Sequence, residues 1–288
     1  MDRMDVTETI AGIQLPGHLH TAQSLQYAQE FKFREGDIVI ITYPKSGTTW
    51  MQEILTLIYS KGDPEVATSV PNWERAPWLE HMYFKDVLKE GEGPRIITSH
   101  FPSELLAPAL QISKAKVIYI ARNPKDVAVS FYYFHKMAKF LPNFDSFSEF
   151  LQSFLEGKVS YGSWFQHVKG WHEQKKNLDM FYITYEELHK DFRRSLKKLC
   201  RFLGCPMYSR ELDEIENHSR FPVMSQNCMV NYTLISQDIM DHDQSKFMRK
   251  GIVGDWREHL TEEQNAEFDK VFQEKMSDCD LRFIWSLE

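Results

Sequence analysis

Five residues in a row, Lys45, Ser46, Gly47, Thr48 and Thr49, combine a cation, hydroxyls and one flexible backbone position. They sit between an apolar β-branched run, Ile38 to Ile41, and a helix-compatible run from Thr48 to about Ser60. Strand, tight turn and helix in that order present free backbone N–H groups and a helix N-terminus to an anion. The loop is short: its lysine precedes its only glycine, unlike the G-x-x-x-x-G-K-[ST] loop that holds nucleoside triphosphates with magnesium. The same residues also suit a plain helix start capped by Ser46 or Thr48.

Two further basic groups could hold a second anion. Arg122-Asn123-Pro124-Lys125-Asp126 follows an apolar strand and enters a helix, with Ser130 two turns on; read plainly, Asn123 caps and Pro124 fills the first turn. Phe247-Met248-Arg249-Lys250-Gly251 sets two adjacent cations beside a glycine and aromatics, a pattern that can clamp a phosphate or form a solvated basic turn. His100 stands directly after the run Arg95–Thr98, where an imidazole is well placed to act as a base near neutral pH.

The elements that must position these groups alternate along the chain. Strands are expected at 38–41, 95–98, 116–121 and 180–184, with helices at about 48–60, 125–138, 144–156, 161–175, 185–203, 207–217 and 261–276. Apolar strands separated by helices predict an α/β fold with a central parallel sheet flanked by helices. Ligands bind beyond the carboxyl ends of such strands, so Pro44–Thr49, Ser99–His100, Arg122–Asn123 and Tyr185 should converge on one cleft. The irregular stretches 71–93 and 221–254, rich in aromatics and Met, read as lids or binding walls.

Composition sets the outer bounds. The chain has 288 residues, 42% hydrophobic and 26% charged, with a net charge of −7. Nothing global attracts nucleic acid or an acidic membrane, so an anion must be held by local cations against the overall field. No apolar run approaches the roughly 18–20 residues needed to span a bilayer. The acidic, leaderless amino terminus and four cysteines without framework spacing predict a cytoplasmic protein. No metal-ligand spacing stands out, and one domain over residues 1–288 is expected.

Taken together, these segments resemble the cytosolic sulfotransferase family nearly end to end. Tyr43-Pro-Lys-Ser-Gly-Thr-Thr-Trp50 is similar to its 5′-phosphosulfate loop, Arg122 through Ser130 to its 3′-phosphate segment, and Arg249 through Trp256 to its carboxyl-terminal signature. Tyr161–Trp164 and Tyr185–Leu188 match as well. The resemblance implies 3′-phosphoadenosine 5′-phosphosulfate (PAPS) as donor, adenosine 3′,5′-bisphosphate (PAP) as product, and no metal. It assigns Lys45, Ser46, Gly47, Thr48 and Thr49 to the 5′ end, and Arg122, Ser130, Arg249, Lys250 and Gly251 to the 3′-phosphate. Trp50, Tyr185, Ser219, Phe221, Phe247 and Met248 would contact the adenosine. His100 would be the general base and Lys45 would stabilise the leaving group.

The acceptor is read less directly. Ser69 through Trp78 resembles the hydroxysteroid (alcohol) branch, and Thr98, where many phenol-directed members carry lysine, points the same way. Val127 through Phe134 resembles the phenol and oestrogen branch. Trp73, Trp78, Tyr83, Phe84, Phe134, Met137 and Tyr232 are the candidate acceptor pocket, suited to a small lipophilic alcohol. The family's dimer signature falls on Arg257, Thr261, Glu262 and Ala266, where three positions depart from it, so a homodimer is possible but its signature is degraded. A nucleotide kinase and a noncatalytic nucleotide-binding module are the rival classes.

Overall fold

A computed structural model describes residues 3–91 and 93–287. Two strands, β1 (Thr7–Ile10) and β2 (Ile13–Pro16), form an antiparallel hairpin. Four others, β3 (Ile38–Thr42), β4 (Ile96–Ser99), β5 (Lys116–Ala121) and β6 (Met180–Thr184), form one parallel sheet in the order β4-β3-β5-β6. All five residues of β3 are buried, as a central strand covered on both faces requires.

Alternation along β3 divides the core. Val39 and Ile41, with Val117 and Tyr119, face a large cluster containing Phe131, Phe154, Trp164 and Trp171. Ile38 and Ile40, with Ile118 and Ile120, face a second cluster built on Met51, Ile54, Leu55 and Ile58 of the helix Thr48–Tyr59. Period-two side chains thus hold helices on both sides of one sheet.

Register fixes where the strands stop. Ile41 pairs with Ser99 and Tyr119, Thr42 with Ile120, and Ala121 with Thr184. The loop after Thr42, His100, Arg122 and Tyr185 therefore all emerge at one edge. The helices Pro124–Met137, Phe147–Glu156, Trp164–Glu173, Ser209–His218 and Glu262–Met276 lie close to their expected ranges.

The expected single helix over 185–203 is a correction: two helices, Tyr185–Lys190 and Phe192–Leu203, meet at Asp191. Asp191 is non-helical (φ −151°, ψ 80°) and its side chain accepts the Arg194 N–H, capping the second helix. The hairpin and the helices Ala22–Glu30 and Ser103–Gln111 were not anticipated.

Candidate active site

The turn after β3 is built to expose backbone donors. Lys45 and Gly47 both have positive φ, +67° and +103°, which reverses the chain within three residues. A Cβ on Gly47 would lie 2.9 Å from the Tyr185 ring, so geometry and space both call for glycine. The helix Thr48–Tyr59 has no side-chain cap at its start. Its first amides are free for an anion, favoured further by the helix dipole. Ser46 Oγ is fully buried without a partner, and Thr48 Oγ1 is 2.7 Å from Thr42 Oγ1.

Lys45 reaches back over two aromatic faces, with Nζ 4.1 Å from the Phe247 ring centre and 4.6 Å from that of Phe134. Burial, with Arg122 and Arg249 nearby, pushes its pKa down to about 7. An anion among these cations would reverse much of that shift.

His100 lies between the loop and the apolar wall. Its Nδ1 donates to the Thr42 carbonyl at 2.8 Å, which fixes the tautomer and leaves a lone pair on Nε2. That lone pair receives the Trp78 indole N–H at 3.0 Å. Burial lowers the pKa of His100 to about 4, so the imidazole is neutral at physiological pH. Thr98 is wholly buried and is spent on Ala76 O and Gln52 Nε2.

The second cation group is assembled across the chain. The Arg122 guanidinium donates to Lys45 O at 3.0 Å and Ile252 O at 3.1 Å, and lies 4.2 Å from the Tyr185 ring centre. Arg249 and Lys250 both pair with Asp255, and the Arg249 guanidinium lies over the Tyr133 ring at 4.6 Å. The carboxylate of Asp126, 1% exposed, accepts the Gly254 N–H at 2.8 Å and the Trp256 N–H at 3.0 Å. Asn123 Nδ2 donates to the same carboxylate and to Glu186. The segment bearing Arg249 is thereby pinned to the helix that follows Arg122. Gly251 (φ +63°) lies so close to the Phe221 ring that a Cβ would be 2.1 Å from it. The Arg122 Nε, Arg249 Nε and Trp50 Nε1 atoms are buried without partners.

One cavity of about 820 Å³ joins these groups. Lys45, Gly47, Thr48, Thr49, Trp50, Arg122, Ser130 and Tyr185 line it, as do Ser219, Phe221 and Phe247 through Gly251. So do His100, Trp73, Trp78, Tyr83, Phe84, Phe134 and Tyr232. Two expected residues do not: Ser46 lies beneath the loop, and Met137, wholly buried, belongs to the large core cluster. Met137 is a correction to the acceptor pocket; as the last residue of its helix, it packs inward.

Sequence reasoning missed His18, Leu19, His81, Phe140, Tyr161, Ile235, Ile239 and Met240, all in the wall. His18 and Leu19 follow the unanticipated hairpin; only the Tyr161–Trp164 match drew attention to Tyr161. Away from the cavity, His172, Cys279 and Asp280 bring their potential metal-ligating atoms within 4.8 Å of one another.

Comparison with known proteins agrees with this geometry. The sulfotransferase domain model matches residues 35–280. Mouse (Mus musculus) sulfotransferase 2B1 is 45% identical over 275 residues, covering 95% of this chain and 81% of that one. Dog (Canis lupus familiaris) sulfotransferase 1A1 is 44% identical over 270 residues, 91% and 90% of the two chains. A crystal structure of mouse sulfotransferase SULT7A1 complexed with PAP superposes with a TM-score of 0.78 at 32% identity, covering 95% of this chain and 96% of that one. With a loop, a histidine and two cation groups at one sheet edge, and relatives matched along nearly the whole length, the chain belongs to the sulfotransferase family.

Proposed function

We propose that this chain moves a sulfuryl group from PAPS to the hydroxyl of a small lipophilic acceptor. The observation that carries the reading is the pair of separated cation groups on one cavity, which fits a donor with anionic ends at both 5′ and 3′ positions. The unpartnered Arg122 Nε, Arg249 Nε and Trp50 Nε1 are donors of the kind such a ligand would satisfy. In this scheme Lys45, the loop residues Ser46 to Thr49 and the first amides of the following helix hold the 5′ end. Arg122, Ser130, Arg249, Lys250 and Gly251 hold the 3′-phosphate. The adenosine lies among Trp50, Tyr185, Ser219, Phe221, Phe247 and Met248.

The bound donor supplies an electrophilic sulfur and a phosphate leaving group. His100 Nε2 takes the acceptor's hydroxyl proton as the new S–O bond forms, after that hydroxyl displaces the Trp78 N–H. Such a positioned base contributes roughly 10²–10⁴-fold. Lys45 offsets charge appearing on the leaving phosphate oxygen. Amides and lysine already provide that compensation, so the scheme routes no step through a metal ion.

For the acceptor, the aromatic wall of Trp73, Trp78 and Phe134 supports a hydroxysteroid or similar alcohol. The relatives named sulfotransferase 1A1 keep a phenol as the second reading. We further read residues 1–288 as one functional domain, with a homodimer possible although its 257–266 signature is degraded, and cytoplasmic, consistent with four free cysteines.

The test is transfer of labelled sulfate from PAPS, without added metal, to hydroxysteroids, aliphatic alcohols and phenols. Labelled steroid or alcohol is expected; labelled phenol alone would select the second reading. His100→Ala should lower turnover about 10²-fold or more while PAP binding persists. Transfer to no acceptor, with PAP bound, would leave the noncatalytic module.

A further inference from the structure

The acceptor end of the cavity is not uniformly apolar. His81 lines it, its ring stacked on Trp78 at 5.5 Å and 10°, and its Nε2 is buried without a partner. His20 stands against it, wholly buried, with ring centres 5.1 Å apart. The His20 Nδ1 donates to Pro16 O at 2.9 Å, which leaves its Nε2 a lone pair, also unpartnered. The third member is Glu80: one carboxyl oxygen accepts the His100 N–H at 2.7 Å and the other has no partner.

Native proteins partner roughly 90% or more of their buried polar atoms. Of these three exceptions only His81 lines the cavity, so its Nε2 is the atom that a group supplied from outside can reach. Burial keeps His20 and His81 neutral at physiological pH, so the wall does not call for an anion. Behind His81, the open His20 Nε2 is an acceptor, while burial pushes the Glu80 carboxyl up to about 7, so its open oxygen accepts when ionised and donates when protonated. A neutral His81 Nε2 can take either role. A hydroxyl group, which donates and accepts, satisfies His81 Nε2 in either role; an alkyl group does not.

We propose that the acceptor carries a second hydroxyl, besides the reacting one, which His81 Nε2 binds with His20 and Glu80 behind it. The inference rests on the sulfuryl-transfer reading of the same cavity. Trp78 sets the spacing: its ring lies 5.5 Å from that of His81 and 6.0 Å from that of His100. The reacting hydroxyl therefore stands by His100 at the N–H edge of the indole and the second by His81 at its stacked face, on a diol of rigid lipophilic skeleton.

The test uses matched acceptors of one skeleton, a diol and the mono-alcohol lacking the second hydroxyl, with the full chain and labelled PAPS. The diol should show kcat/KM about 10-fold higher or more. His81→Phe should abolish that preference, and His81→Gln, which retains hydrogen-bonding groups, should keep part of it. A PAP-induced thermal shift in each variant shows that the fold and donor site survive. Equal kcat/KM for the pair with the unsubstituted chain, or a preference that survives His81→Phe, overturns the subsite while leaving sulfuryl transfer standing. Transfer to neither acceptor overturns both.

Discussion

Burial shifts Lys45 and His100 in ways that suit the roles proposed for them. A histidine held near pKa 4 keeps its lone pair throughout the neutral range, so base availability does not limit activity there. Lys45, lowered to about 7, is cationic below that pH and loses its charge above it. The free enzyme should thus lose kcat/KM for the donor as pH rises through about 7, because the cation that meets the 5′ end disappears. Lys45→Arg, which stays charged, should keep its residual donor kcat/KM flat over the same range. A wild-type profile flat from pH 6 to 9 would show that this titration does not govern donor capture.

At the scale of elements, the telling contact joins residues about 130 positions apart. Asp126 reads in sequence as an ordinary first-turn acid, yet its two oxygens hold Gly254 and Trp256 amides. The segment carrying Arg249 and Lys250 has little regular structure of its own, so this carboxylate determines where those cations stand. Asp126→Asn replaces one acceptor with a donor facing an N–H. It should raise the donor KM roughly 10-fold with a smaller effect on kcat, because the chemistry lies at the other end of the cavity. Equal loss in kcat with KM unchanged would place Asp126 in the catalytic step instead. Arg122, His100 and the Lys45 loop were legible because each follows an apolar strand, and parallel strands end together. His18 and His81 were not: they sit in turns whose direction depends on packing, and no periodicity marks them. The break at Asp191 was hidden because apolar residues recur at helical spacing on both sides of it.

For the whole molecule, charge and architecture oppose each other. The chain carries −7 overall, yet Lys45, Arg122, Arg249 and Lys250 gather on one cavity. Arg249 and Lys250 are held there by Asp255, whose carboxylate their ion pairs keep below its usual pKa. Four like charges brought together resist folding unless anions neutralise them, so a nucleotide with phosphates at both ends should stabilise the whole fold. PAP held at both ends would also bridge the loop after β3 and the Arg249 segment, which already meet where Lys45 lies over Phe247 and through Arg122. At a concentration about 100 times its Kd, the gain should be about 2.7 kcal/mol, which is several degrees in Tm for a chain of this size. Adenosine 5′-phosphate, lacking the 3′ group, should give a smaller shift at equal concentration. Arg249→Ala should shrink the PAP shift toward that of adenosine 5′-phosphate while leaving the latter nearly unchanged. Equal shifts from both nucleotides with the unsubstituted chain would mean that the second cation group does not read the 3′-phosphate, and the two-ended donor site would have to be abandoned.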